Sequence, residues 1–114
     1  MALTKGDVVL VPFPFTNLQQ TKLRPAVVLW ADTNGQDVTL CFVSSQDIDN
    51  LNLGEFILSS SDPDFLKTGL KVDSKARVTR LVTVERKLIA RRLGKLSISQ
   101  LQQLKVAMIQ AFQL

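Results

Sequence analysis

Arg24 stands directly before Pro25, at the head of the apolar run Pro25 to Trp30 and behind a polar segment rich in Gln and Thr. The neighbouring proline biases it to an extended backbone. A planar guanidinium held there can clamp a phosphate at two points, or it can pair on the surface with an acid such as Asp7. Ser44 closes a second apolar run, Val38 to Ser44. Its hydroxyl can donate to a non-bridging phosphate oxygen or satisfy local backbone. Two residues on, Gln46 carries donors and an acceptor suited to a base edge or to bracing its own loop.

Five cations follow: Lys67, Lys71, Lys75, Arg77 and Arg80. They read as an anion-binding groove or as a solvated strand face. Arg77 and Arg80 lie three apart, so simple strand alternation puts them on opposite faces. Phe13 and Phe15 flank Pro14 and could stack on bases, although core packing also accounts for them.

Composition narrows the chemistry. There is no histidine, no tyrosine and one cysteine in 114 residues. Ser-His-Asp and Cys-His arrangements, His-based phosphodiester cleavage and most zinc sites are therefore excluded. Arg, Lys, Ser, Thr, Asp, Glu or backbone groups must carry any catalysis, with no cofactor expected. Cys41, inside Leu40-Cys41-Phe42-Val43, reads as a buried inert thiol. The formal charge of +4 permits an anionic partner without requiring one. No stretch reaches the ~18 apolar residues of a membrane span, and the first residues lack a signal-peptide core. The expectation is a cytoplasmic, single-domain protein covering residues 1–114.

The elements that must position these residues are short strands. Gly6 to Val11 reads as a strand running toward Phe15, bent where Pro12 and Pro14 interrupt it. Pro25 to Trp30 and Val38 to Ser44 read as an antiparallel pair joined by a tight Asn34-Gly35 hairpin. Glu55 to Leu58, Lys75 to Leu81 and Leu88 to Leu93 complete the set, the last closed by Gly94. Ser97 and Gln100 form a capping-box signature. After it, Ile98, Leu101, Leu104, Met108, Ala111 and Phe112 recur at helical spacing, predicting a helix from Ile98 to Phe112. Its apolar stripe suits packing on a barrel or a contact with a partner. The fold class is mostly β: a small antiparallel barrel with a C-terminal α-helix.

Four segments, in order, resemble the MazF/PemK toxin family. They are Lys5-Gly6-Asp7-Val8-Val9-Leu10-Val11, Arg24-Pro25-Ala26-Val27-Val28-Leu29, Val43-Ser44-Ser45-Gln46 and Leu81-Val82-Thr83-Val84-Glu85-Arg86-Lys87-Leu88. The resemblance covers nearly the whole chain. It implies an SH3-like barrel, a homodimer, and metal-independent, sequence-specific cleavage of single-stranded RNA (mRNA). It also implies neutralisation by an acidic antitoxin peptide. Arg24 and Ser44 match the family's catalytic Arg and Thr. Gln19, where many relatives carry Glu, supplies no base. It joins Gln46, Lys71, Arg77 and Arg80 as an expected substrate contact, Arg80 falling where several relatives have Gln. Some relatives of this fold poison DNA gyrase, so a protein poison, or a degenerate module that only binds RNA or antitoxin, are the alternatives.

Overall fold

The apolar runs form strands because the chain covers both of their faces. The computed structural model describes residues 2–13 and 22–114. Within them, six strands form one antiparallel sheet: β1 (Asp7–Phe13), β2 (Lys22–Ala31), β3 (Asp37–Ser44), β4 (Glu55–Leu58), β5 (Ser74–Glu85) and β6 (Arg91–Lys95). Helix α1 (Ile98–Phe112) follows. The strand order is β4-β5-β3-β2-β1-β6. This is the expected mostly β architecture with a terminal helix, in the form of a curled half-barrel. Among the described residues, β4 and β6 remain sheet edges and do not close the ladder.

Backbone contact draws the two edges together. A 3-10 turn at Phe65–Thr68, between β4 and β5, ends at Gly69 and lies against β6. A Cβ on Gly69 would collide with the Leu93 carbonyl, and one on Gly94 with the Lys67 carbonyl. Gly69 also has a φ of +74°, which side chains rarely adopt. The seam therefore exists because two glycines let main chain meet main chain. Gly94 accordingly lies inside β6, paired with Val8, rather than closing the strand.

Successive residues along β1, β2 and β3 point to opposite faces, and both faces are buried. On one, Val8, Val27, Cys41, Val43 and Ala76 pack with Leu104 and Ala107 of α1. On the other, Val9, Val11, Ala26, Val28 and Leu40 pack with Leu3, Val84 and Ile89. Burial on both sides explains why these strands read as continuous apolar runs instead of alternating ones. Cys41 is fully buried, and burial pushes its thiol up to about 12 against the opposing backbone hydrogen bonds at Val27 and Cys41. It is the inert thiol expected.

α1 spans the expected residues, and its capping box is present. The Ser97 hydroxyl accepts the Gln100 N–H at 3.1 Å, and the Gln100 side chain accepts the Ser97 N–H at 2.8 Å. Its apolar stripe packs on the protomer's own barrel. Leu104 is buried, with Leu101, Met108 and Ala111 against the same cluster. Leu104 thus serves the core and Met108 packs against it while partly exposed, whereas Ile98 stays 88% exposed and does not join the stripe.

Other boundaries also differ from the sequence reading; β2, for one, begins at Lys22 and not at Pro25. The last strand is Arg91–Lys95, because Arg86–Leu88 form a 3-10 turn that delivers Ile89 to the second core. The β2–β3 connection is wider than a two-residue turn. It closes where Asp32 N–H meets the Asp37 carbonyl at 2.9 Å, and the Asp32 side chain accepts the Asn34 N–H. β5 extends to Glu85 because its second half covers the second core.

The seam yields a test. Gly94→Ala should lower unfolding free energy by about 1–3 kcal/mol, as overpacking against rigid backbone does. Chemical denaturation would measure it, and a Gly94→Ala protein of wild-type stability would show that the seam is not tight.

Candidate active site

β2 and β3 bring Arg24 and Ser44 together. Their ladder pairs Val27 with Cys41 and Ala26 with Phe42. Carried two residues further, the same register sets Arg24 across from Ser44, where the strands part. Arg24 also sits opposite Val11 on β1, with Phe13 two residues beyond. Phe13, Arg24, Phe42, Val43, Ser44, Arg77, Arg80, Leu81 and Val82 line one concavity of about 500 Å³. It opens at the end of the second core, so its floor is apolar and its rim cationic.

Each side chain is held differently. The Arg24 guanidinium lies 5.7 Å from the centre of the Phe13 ring, a cation–π distance. Phe13 in turn meets Phe42 at 4.8 Å between ring centres, with planes tilted by 57°. Phe13 is therefore part packing residue and part concavity wall. The Ser44 hydroxyl accepts the Gln46 N–H at 3.0 Å. That bond uses a lone pair and leaves the hydroxyl proton for donation. Both readings of Ser44, local satisfaction and anion contact, are compatible at this oxygen.

Arg77 and Arg80 share the concavity despite their spacing. β5 pairs Arg77 with Phe42 but Leu81 with Cys41. Val78, Thr79 and Arg80 therefore bulge out of the β3 ladder, and the Val78 N–H goes to the Gly54 carbonyl at 2.9 Å. The bulge resets which face Arg80 occupies. Alternation could not have shown this.

The rest of the basic segment disperses. Lys67 pairs with Asp64 at 3.6 Å and lines a separate cavity beside the start of α1. Lys71 is exposed before β5 and does not line the concavity. Gln46 adjoins Ser44 in the chain but is likewise outside the lining. Lys75 is buried, contrary to a solvated-face reading. Its Nζ meets Glu55 at 2.9 Å and donates to the Asp47 and Asn50 carbonyls at 3.1 and 3.0 Å. The same Glu55 accepts from Arg77 Nε at 2.8 Å. Gln19 and Phe15 lie outside the described residues.

Asp7 is neither the partner of Arg24 nor a neighbour of the concavity. It occupies the far end of β1, accepts the Thr4 N–H at 2.9 Å and lies 3.8 Å from Arg92. No carboxylate lines the concavity among the described residues, and none of them form a metal-binding cluster of His, Cys, Asp and Glu. No helix among them is long and apolar enough to cross a membrane.

This fold has known counterparts. The profile of the family described as PemK-like, MazF-like toxin of type II toxin–antitoxin system matches residues 4–112. The chain belongs to that family. Among solved structures, it is similar to an endoribonuclease in complex with its cognate antitoxin from a mycobacterial species. The TM-score is 0.75 at 13% identity, over 99% of this chain and 97% of that one. A second mycobacterial endoribonuclease gives a TM-score of 0.71 at 14% identity, over 100% of this chain and 94% of the other. No curated protein sequence matches.

Glu55 gives the site a pH signature. Burial alone would raise its pKa; the Asn52 N–H, Lys75 and Arg77 outweigh that and bring it from 4.5 to about 2. A carboxylate depressed in the folded state contributes stability that is complete above its unfolded value and lost as pH falls through the folded one. Unfolding free energy should therefore drop between pH 4.5 and about 2. Glu55→Gln should lose that dependence, measured by denaturant titration across this range.

Proposed function

We propose that this toxin is a metal-independent endoribonuclease that cuts single-stranded RNA, mRNA included. The observation that carries the reading is the convergence of Arg24, Ser44, Arg77 and Arg80 on one concavity. The fold's likeness to two endoribonucleases supports it. In the reaction, a ribose 2′-OH attacks the adjacent phosphorus. The O2′–P bond forms as the O2′–H and P–O5′ bonds break, the 2′ proton passes to solvent water and O5′ takes one from it, and the products are a 2′,3′-cyclic phosphate and a 5′-OH. Arg24 holds the non-bridging oxygens as charge builds on them, and Ser44 donates to one of the same oxygens. Donors fixed in advance at developing charge are the principal source of such acceleration. Arg77 and Arg80 bind flanking phosphates, and Phe13 offers a ring edge to a base. The lining residues supply charge and hydrogen bonds rather than a base.

The same cations suit an acidic antitoxin peptide competing for the groove, and one of the similar structures holds its cognate antitoxin. A two-fold homodimer, the commonest soluble assembly, and action on cytoplasmic mRNA complete the reading.

Three outcomes are expected. Incubated with a long RNA in EDTA, the purified protein should cut at discrete sites, and end mapping should find 5′-OH termini. Cutting that needs an added divalent ion would overturn the mechanism, and intact RNA would favour a non-catalytic toxin. Arg24→Ala should reduce cleavage by about 10²-fold or more without unfolding the protein. Ser44→Ala should slow it strongly, whereas Ser44→Thr, which keeps the hydroxyl and adds a methyl that restricts its rotamer, should retain or raise it.

A further inference from the structure

Two cations on β5 meet one buried acid on β4. Lys75 and Arg77 are two apart and share a strand face, and Glu55 pairs directly with Arg77 in the β4–β5 ladder. The Glu55 side chain is 2% exposed, and its two oxygens are divided: Oε1 to Lys75 and Oε2 to Arg77. Lys75, 5% exposed at its side chain, spends its other hydrogens on the carbonyls of Asp47 and Asn50. Those residues belong to the loop that leaves Ser44, which itself sits opposite Lys75 in the β3–β5 ladder.

We infer that Glu55 is a positioning residue: one buried carboxylate aims the Arg77 guanidinium into the concavity and, through Lys75, fixes the loop that follows Ser44. Arg77 meets Glu55 through Nε, the nitrogen nearest the chain, so this contact does not use its two terminal nitrogens, and Arg77 itself lines the concavity. A guanidinium braced in this way loses little freedom on meeting a phosphate. Arg77 could otherwise swing with its long side chain, and the binding of each phosphate would carry the cost of arresting it. Glu55 acts through its neighbours, since no atom of it lines the concavity. The inference rests on the reading of that concavity as a site for single-stranded nucleic acid.

The test is a double-mutant cycle read by binding, so that it does not depend on cleavage. The probe is a fluorescent single-stranded 2′-deoxy oligonucleotide of the mapped cut sequence, or of mixed sequence if no cut is mapped. Glu55→Gln should weaken binding by about tenfold in the wild-type background. In an Arg77→Ala background it should weaken binding no further, because the group it positions is gone. Arg77→Lys, which keeps the charge but not the fork, should bind nearly as weakly as Arg77→Ala. Equal weakening by Glu55→Gln in both backgrounds, or an Arg77→Lys protein that binds like wild type, overturns the inference. If Glu55→Gln leaves Lys75 uncompensated and unfolds the chain, the cycle is run with Lys75→Met throughout, which removes both buried charges. Arg24-dependent RNA cleavage combined with an additive cycle would refute the positioning role and leave the ribonuclease reading standing. A coupled cycle with no cleavage would do the reverse. A wild-type protein that neither binds the probe nor cuts RNA refutes both.

Discussion

Three central strands that are apolar on both faces impose the constraint on which the rest of this structure depends. β1, β2 and β3 carry Val8-Val9, Val27-Val28 and Leu40-Cys41 as neighbours pointing opposite ways, all fully buried. A flat sheet of this length covered by one helix could bury only one such face. The chain meets the demand by curling. α1 covers one face, and the curl, the long second half of β5 and Ile89 enclose the other. The concavity lies where this second core ends and the β2–β3 ladder parts. Apolar floor and polar rim are thus consequences of one packing problem.

The site's electrostatics follow from the same geometry. The end of the β2–β3 ladder delivers Arg24 and Ser44, and a bulge delivers Arg80 beside Arg77. Low exposure strengthens the Glu55 interactions that hold Arg77 in place. Family membership places the chain among toxins of type II toxin–antitoxin systems. The proposed cleavage of RNA requires from this rim what it visibly contains, fixed positive charge and a hydroxyl. A mechanism built on imidazole is closed to a sequence without histidine.

Local features were legible in the sequence and long-range register was not. The helix from Ile98 to Phe112 could be read because its cap, Ser97 with Gln100, and its period are both local. Arg24 and Ser44 could be paired as candidates because each ends a recognisable apolar run within a familiar order of segments. Arg77 and Arg80 could not be placed together, since the bulge that unites them arises from how β5 meets β3 and β4 at once. Lys75 read as a surface cation because nothing nearby in the chain announces Glu55 or the two carbonyls that bury it. The seam escaped for a related reason: Gly69 and Gly94 read as ordinary glycines until their close approach to the Leu93 and Lys67 carbonyls is seen.

That seam carries a consequence for how the protein can change over generations. Most positions on a curled sheet tolerate substitution by small adjustments of side chains. Gly69 and Gly94 face carbonyl groups that have no rotamers to adjust. A first substitution at either one would push apart the two sheet edges beside the core that α1 covers, where Phe65, Leu70 and Leu93 pack. The two sites are thereby coupled to each other. Variation in such a chain should accumulate on the outer face of α1 and in the exposed turns, while the radius of the curl stays as inherited.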